Sequence, residues 1–219
     1  MARRTLKGEK NTNMLAPKDF NNNRLWNGNI REYLKKRYKG TKVIKCTSSK
    51  LLNFKPLLQN DYGEAGDCTL TSLTACVNYY LANSKPIEEI YNYVEKIAKK
   101  WGYKGNLGTF PLFIQRIYNQ TLKHFPCAKK RTAQGYIKGV GFNFNTIKNI
   151  LNKNTPIVLS IKNDGRNYYT NHTITIVGYM VYSINNTHTA NILVVYDNWT
   201  KSESFVDFDV LPIMASINY

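Results

Sequence analysis

Acidic residues and histidines are both scarce in this chain of 219 residues. Only 14 Asp and Glu stand against 31 Lys and Arg, so the formal charge is +17. So large an uncompensated charge favours an anionic partner or setting, such as nucleic acid, a wall polymer or a membrane surface, and carries no information about fold. The three histidines, His124, His172 and His188, limit the choice of an imidazole base. No apolar run approaches the length of a membrane span, so no transmembrane segment is expected. The opening stretch "MARRTLKGEKNTNML" is basic but has no apolar core with a small-residue cleavage site behind it, so no secretory signal is read. The expected location is cytoplasmic or phage-virion-associated, and release of a phage by lysis would need no signal. The four cysteines, Cys46, Cys68, Cys76 and Cys127, fall in no paired metal spacing. Without a signal peptide a reducing compartment is expected, and hence free thiols. Nothing calls for a metal or a cofactor, and no internal repeat is visible.

What is present suits one domain with an extension. The apolar share is 42%, enough for a substantial core, and 16 tyrosines add amphipathic bulk. The charge is unevenly spread. Residues 1–58 hold 15 Lys and Arg against 3 Asp and Glu; residues 59–219 hold 16 against 11. A basic N-terminal extension over 1–55 and a domain over 56–219 are therefore expected. Within the extension, Ile30, Leu34 and Tyr38 recur at helical spacing and Gly40 ends the pattern, while the rest reads as loop. A solvated tail that packs one helix, and an arm that binds an anion, suit this segment equally.

The periodicity then divides the remainder in two. From Cys68, the residues Leu70, Leu73, Cys76, Val77, Tyr80 and Leu81 predict a buried helix. A second helix carries Ile87, Ile90, Tyr91, Val94, Ile97, Ala98 and Trp101 on one stripe, with Pro86 and two glutamates at its start and Lys99, Lys100 and Gly102 at its end. A third runs from about Thr109 to Lys123. After a basic, strand-like stretch near 130–140 and a short helix in "NTIKNILNKN", strands follow in "PIVLSI", "HTITIVGYMVY", "NILVVYDNW" and "SESFVDF". The second and third of these pair across the polar turn "SINNTHTAN". Helices first and strands second predict an α+β fold.

Cys68 stands where the polar segment "PLLQNDYGEAGD" becomes an apolar helix. A cysteine at a helix N-terminus feels the positive end of the dipole, which favours its thiolate. It still needs a base to carry protons to a leaving group. His172 opens a strand, whereas His124 ends an amphipathic helix and His188 lies in a hairpin turn. Asp197 ends the strand that pairs with the one carrying His172, so its carboxylate could hold the imidazole in one tautomer. Taken singly, packing explains His172 and a turn cap explains Asp197 at least as well. Gln59, nine residues before Cys68, could donate to an oxyanion beside the Cys68 amide; alone it reads as a surface residue. Cys46, Cys76 and Cys127 read as packing residues, and Asp164 in "KNDGRN" as a turn residue.

Their order carries more than any one of them: Gln, Cys at a helix start, His opening a strand, then Asp with Trp two residues on. In that order the chain resembles the papain-like cysteine peptidases. The likeness is closer to the peptidases that process bacteriocin leaders and to their stand-alone peptidase-like relatives. It rests on "PLLQNDYGEAGDCTLTSLTACVNYYL", "NTIKNILNKNTPIVLSI", "HTITIVGYM" and "YDNW", and covers roughly residues 56–200. The resemblance implies a helical lobe carrying the cysteine and an antiparallel sheet lobe carrying His and Asp. It implies Cys68 as nucleophile, His172 as base and acid, Asp197 as orienting group and Gln59 as oxyanion donor, with Trp199 shielding the His–Asp contact. In two respects the chain departs from the pattern. Thr69 follows Cys68 where many relatives carry glycine, which would narrow the cleft, and the Gln–Cys loop is longer than in papain.

Three functions follow as expectations. The first is a cysteine peptidase acting on a peptide or protein through an acyl-enzyme. The second is a cell-wall amidase or endopeptidase of bacterial or phage origin, which the basic charge suits. The third is a non-enzymatic virion or nucleic-acid-associated protein on the same fold, resting on charge alone.

Overall fold

The computed structural model describes residues 25–26, 30–59, 61–63, 66–125, 132–138, 141–161, 171–211 and 216–219. The chain enters through strand β1 (Leu25–Trp26), helix α1 (Ile30–Arg37) and strand β2 (Ile44–Leu51). Three helices follow: α2 (Cys68–Tyr80), α3 (Ile87–Lys100) and α4 (Pro111–His124). Then come β3 (Gly135–Lys138), β4 (Gly141–Phe142), α5 (Phe144–Asn152), β5 (Ile157–Ile161), β6 (His172–Ile184), β7 (His188–Tyr196), β8 (Ser204–Asp207) and β9 (Ser216–Asn218). Helices precede the main strands, as expected for the α+β class.

Among the described residues nine strands join one sheet in the order β1-β8-β7-β6-β5-β9-β3-β4, with β2 pairing β6 off this path. Every pairing is antiparallel except that of β3 with β4. The long strand β6 organises the sheet. Along one edge its first half, His172–Ile176, pairs with β5, and its second half, Gly178–Ile184, pairs with β2. Gly178 sits at the changeover opposite Leu51, where an added Cβ would lie 2.4 Å from the Lys50 carbonyl oxygen. Only glycine admits so close an approach of two backbones.

Helix α2 packs against α3, α4, β5 and β6, and every residue from Cys68 to Asn78 is buried. It is a central helix rather than an amphipathic surface one, which is why its apolar face reads so broad. Helix α3 does have a polar face; Ile90, Tyr91, Val94, Ile97 and Ala98 are its buried stripe. Helix α5 begins where Asn143 accepts the Thr146 N–H at 3.0 Å in a capping box. The main core joins these helices to β5–β8, and a smaller core packs Ile30, Tyr33 and Leu34 of α1 on Tyr182, Ile184, Ala190 and Ile192. Fully burying one such aliphatic side chain is worth about 1.5–3 kcal/mol.

Several local expectations change. Residues 44–51, read as loop, form β2. Only Ile44, Ser48 and Lys50 of that strand are partly covered, so its sequence carries no apolar alternation. Cys46 lies on this strand and is exposed, not a packing residue. The β6–β7 turn is only Asn185–Thr187, with both asparagines at positive φ, so His188 starts a strand opposite Ile184. Cys76 is fully buried in the core. Cys127 and Asp164 lie outside the described residues. No helix of the described residues is long and apolar enough to cross a membrane.

Candidate active site

Cys68 is the first residue of α2, so its backbone N–H points out of the helix with no intrahelical acceptor. The helix is pinned to the sheet beneath this end by a chain of hydroxyls. Thr69 Oγ1 and Thr173 Oγ1 lie 2.9 Å apart, and Thr173 Oγ1 and Ser160 Oγ 3.0 Å apart. Thr69 is therefore buried between helix and sheet. The Cys68 thiol lies near the same strand, where the Thr173 backbone, the Thr173 hydroxyl and the Thr69 hydroxyl favour its ionised form.

His172 is the residue before Thr173, and it too is buried. Its Nε2 lies 2.7 Å from the backbone carbonyl oxygen of Asp197. A carbonyl can only accept, so Nε2 carries the proton and Nδ1 is the basic nitrogen. The Trp199 ring stacks on the imidazole, with centroids 4.4 Å apart and planes 23° from parallel, and is itself 40% exposed. The Asp197 carboxylate accepts the backbone N–H groups of Trp199 at 3.0 Å and Thr200 at 3.3 Å, and the Ser204 hydroxyl at 3.2 Å. It holds the turn that carries both the Asp197 carbonyl and the Trp199 ring. Asp197 meets the His172 ring through that carbonyl, where the sequence suggested the carboxylate.

Burial sets the protonation states. It pushes the Cys68 thiol above its ordinary value, against the opposing influence of Thr173 and Thr69, and the neighbouring Asp67 carboxylate adds to the rise. The helix dipole alone predicted the opposite direction; desolvation of a thiolate in a nearly closed site outweighs it. Burial likewise pushes His172 below its ordinary value, although the Asp197 carbonyl favours the charged ring. Both directions favour the uncharged forms, thiol and neutral imidazole.

Gln59 also comes to this place. Its backbone N–H donates to the Asn198 carbonyl at 2.7 Å, and its side-chain Oε1 is buried without a hydrogen-bond partner. The other two histidines lie elsewhere: His124 stacks on Tyr93 at 3.7 Å, and His188 stacks on Tyr38 at 6.3 Å. Among the described residues no cluster of His, Cys, Asp or Glu side chains could hold a metal ion.

With a cysteine at a central helix start, a histidine opening the adjoining strand and Asp–Asn–Trp on the next, the arrangement is that of a papain-like peptidase. The model of the Peptidase_C39 like family matches residues 51–210. The chain belongs to this family. The match makes it a papain-like relative of the C39 cysteine peptidases, and it begins at the last residue of β2. Residues 30–50, which supply α1 and most of β2, precede the matched region yet complete the second half of the β6 edge. The comparison with curated proteins finds no match.

Sequence reasoning passed over Asn198, between the two residues it singled out. Asn198 is 2% exposed, has φ +65° and donates from Nδ2 into both α2 and β6. The available signal was an asparagine following a strand end, a residue type that tolerates the left-handed conformation.

Proposed function

We propose that the protein is a cysteine peptidase that hydrolyses peptide bonds through Cys68, His172, Asp197 and Gln59. The observation that carries this reading is the 2.7 Å bond from His172 Nε2 to the Asp197 carbonyl, which leaves Nδ1 as the basic nitrogen of a histidine whose neighbour Thr173 meets Thr69, the residue after Cys68. Cys68 Sγ attacks the substrate carbonyl carbon as its proton passes to His172 Nδ1. The carbonyl electron pair moves to oxygen, where the Cys68 N–H and the Gln59 side-chain amide are the donors. The tetrahedral adduct collapses, the C–N bond breaks, and the departing amine takes the proton from Nδ1. Water then attacks the thioester, giving its proton to Nδ1, and the acid leaves as the thiol is restored. Because burial favours the neutral form of both groups, the thiolate forms as the attack proceeds. Asp197 acts by fixing the tautomer and the turn; Trp199 covers one face of the imidazole.

The test is turnover of a peptide library by wild type and by Cys68→Ala. Loss of at least about 10³-fold in the variant, with an unchanged unfolding midpoint, is the expected result. A variant that cleaves the same peptides at the wild-type rate ends the proposal.

A second reading directs the same chemistry to peptidoglycan cross-links. What favours it is a surface cavity of about 290 Å³ at α1 and the start of β2, lined by Arg31, Lys35, Lys42, Val43 and Ile44. Among the described residues no acidic one lines it, and an anionic wall polymer or a nucleic acid would meet it favourably. Zymography on purified walls, run beside the peptide library, separates the substrates. Binding of a polyanion that ignored salt would count against the cavity's role.

A further inference from the structure

The geometry points to Asn198 as the positioning residue that holds nucleophile, base and oxyanion donor in one register; this rests on the peptidase reading above. Its Nδ2 lies 3.2 Å from the Cys68 carbonyl oxygen, 2.9 Å from Ser72 Oγ and 3.0 Å from the Thr173 carbonyl oxygen. Cys68 and Ser72 are one turn apart on the nucleophile helix, and Thr173 follows the base. The Asn198 carbonyl accepts the Gln59 N–H at 2.7 Å, and Asn198 links Asp197 to Trp199 in the chain. One buried residue therefore touches every segment that carries a proposed site residue.

The chemistry of the side chain suits this work. An amide nitrogen has two hydrogens, and three acceptors lie within reach, so one hydrogen is shared. Two of the acceptors are backbone carbonyls on different elements, which only a donor can join. A carboxylate of the same shape would set an acceptor against them. The left-handed φ at this position is tolerated by asparagine and glycine, while an ordinary L residue would be strained there. Helix α2 and strand β6 are otherwise joined here by hydroxyl contacts, which rotate; the amide is planar and fixes distance and direction together. A shift of about 1 Å between thiol and imidazole is enough to cost about 10²-fold in rate.

Two variants test the assignment. Asn198→Asp keeps shape and removes the donors. Asn198→Gly keeps the left-handed backbone and the bond to Gln59, and removes only the side chain. Alkylation of Cys68 by iodoacetamide, followed against pH, reads thiol–imidazole coupling without a substrate. Wild type should show a step below the simple thiol titration, and His172→Gln should abolish it. Both Asn198 variants should lose that step, and on any cleaved peptide kcat should fall about 10²-fold while KM stays within about threefold. Ile147→Val, a core change in α5, controls for lost stability and should keep the step. An Asn198 variant that folds and retains the wild-type profile overturns the assignment while leaving the peptidase reading intact. A wild-type profile identical to that of His172→Gln overturns both. If neither Asn198 variant folds, the residue is a folding determinant and the assignment is likewise overturned.

Discussion

Arg37 in α1 reaches across to Asp207 at the end of β8, and replacing it should unfasten the N-terminal segment from the sheet. Arg37 Nη1 lies 2.6 Å from Asp207 Oδ2, and the Tyr33 hydroxyl donates to the same oxygen at 2.9 Å. The aspartate side chain is 1% exposed and the arginine 26%. Burial already pushes the Asp207 carboxyl up, and Arg37 is the largest influence holding it down. Arg37→Met keeps the aliphatic packing and removes the charge, leaving a buried carboxylate with only hydrogen-bond partners. Breaking a wholly buried pair costs about 3–5 kcal/mol; with the arginine a quarter exposed, about 3 kcal/mol is expected at pH 7. In a domain of this size that lowers the midpoint of thermal unfolding by roughly 6–12 °C.

The pH dependence gives the sharper check. Without Arg37 the carboxyl rises further, so Asp207 in the variant protonates at a higher pH than in wild type. A protonated carboxyl needs no cation. The difference between the two proteins should therefore shrink as pH falls from 7 to 4.5. Asp207→Asn in the Arg37→Met background should recover part of the loss at pH 7, since Oδ1 can still accept the Asp209 N–H. Urea unfolding followed by circular dichroism at both pH values measures all of this. A loss below about 1 kcal/mol at pH 7, as surface pairs show, would refute the reasoning, and so would a loss that does not change with pH.

Other perturbations have equally definite outcomes. His172 is held below its ordinary value, so below about pH 6.5 the unfolded chain binds a proton that the folded one resists. Stability is then lost as pH falls through that window, by at most about 1.4 kcal/mol per pH unit, and the His172→Gln variant should show a shallower slope in the same titration. Gly178→Ala would bring a Cβ within 2.4 Å of the Lys50 carbonyl and should cost about 1–3 kcal/mol in urea unfolding; no measurable loss would mean that β2 does not pair as described. An added Cβ at Gly63 would lie 1.7 Å from the Tyr91 hydroxyl oxygen, which itself donates to Asp67 at 3.0 Å, beside Cys68. Gly63→Ala should therefore displace the loop between Gln59 and Cys68 and lower kcat about tenfold or more; a fully active variant would show that this loop does not position the site.

The helices and main strands were legible because each is fixed by local chemistry. The buried stripe of α3, the Asn143 cap of α5 and the apolar run of β5 state their own structure. The hairpin of β6 and β7 was legible as a pairing, but its turn was read too long: only Asn185–Thr187 is needed, because asparagine accepts positive φ. Strand β2 was not legible. Its side chains are mostly solvated, and its extended form comes from backbone bonds to β6, which leave no apolar pattern.

The candidate site divides in the same way. The sequence by itself determined the kinds and order of the groups: a cysteine at a helix start, a histidine opening a strand, and Asp–Asn–Trp on the next. It also determined the family, since the family match is made on the sequence of residues 51–210. Tertiary structure alone decided which atoms meet. It turned the Asp197 carbonyl toward His172 Nε2, spent the carboxylate on the turn, and moved the Cys68 thiol up where the dipole alone would move it down. It also gave Asn198 three acceptors on two elements far apart in sequence. The physical reason is one of range. Periodicity, caps and dipoles act within a turn or two of chain, whereas burial and hydrogen-bond geometry depend on which distant segments fold together.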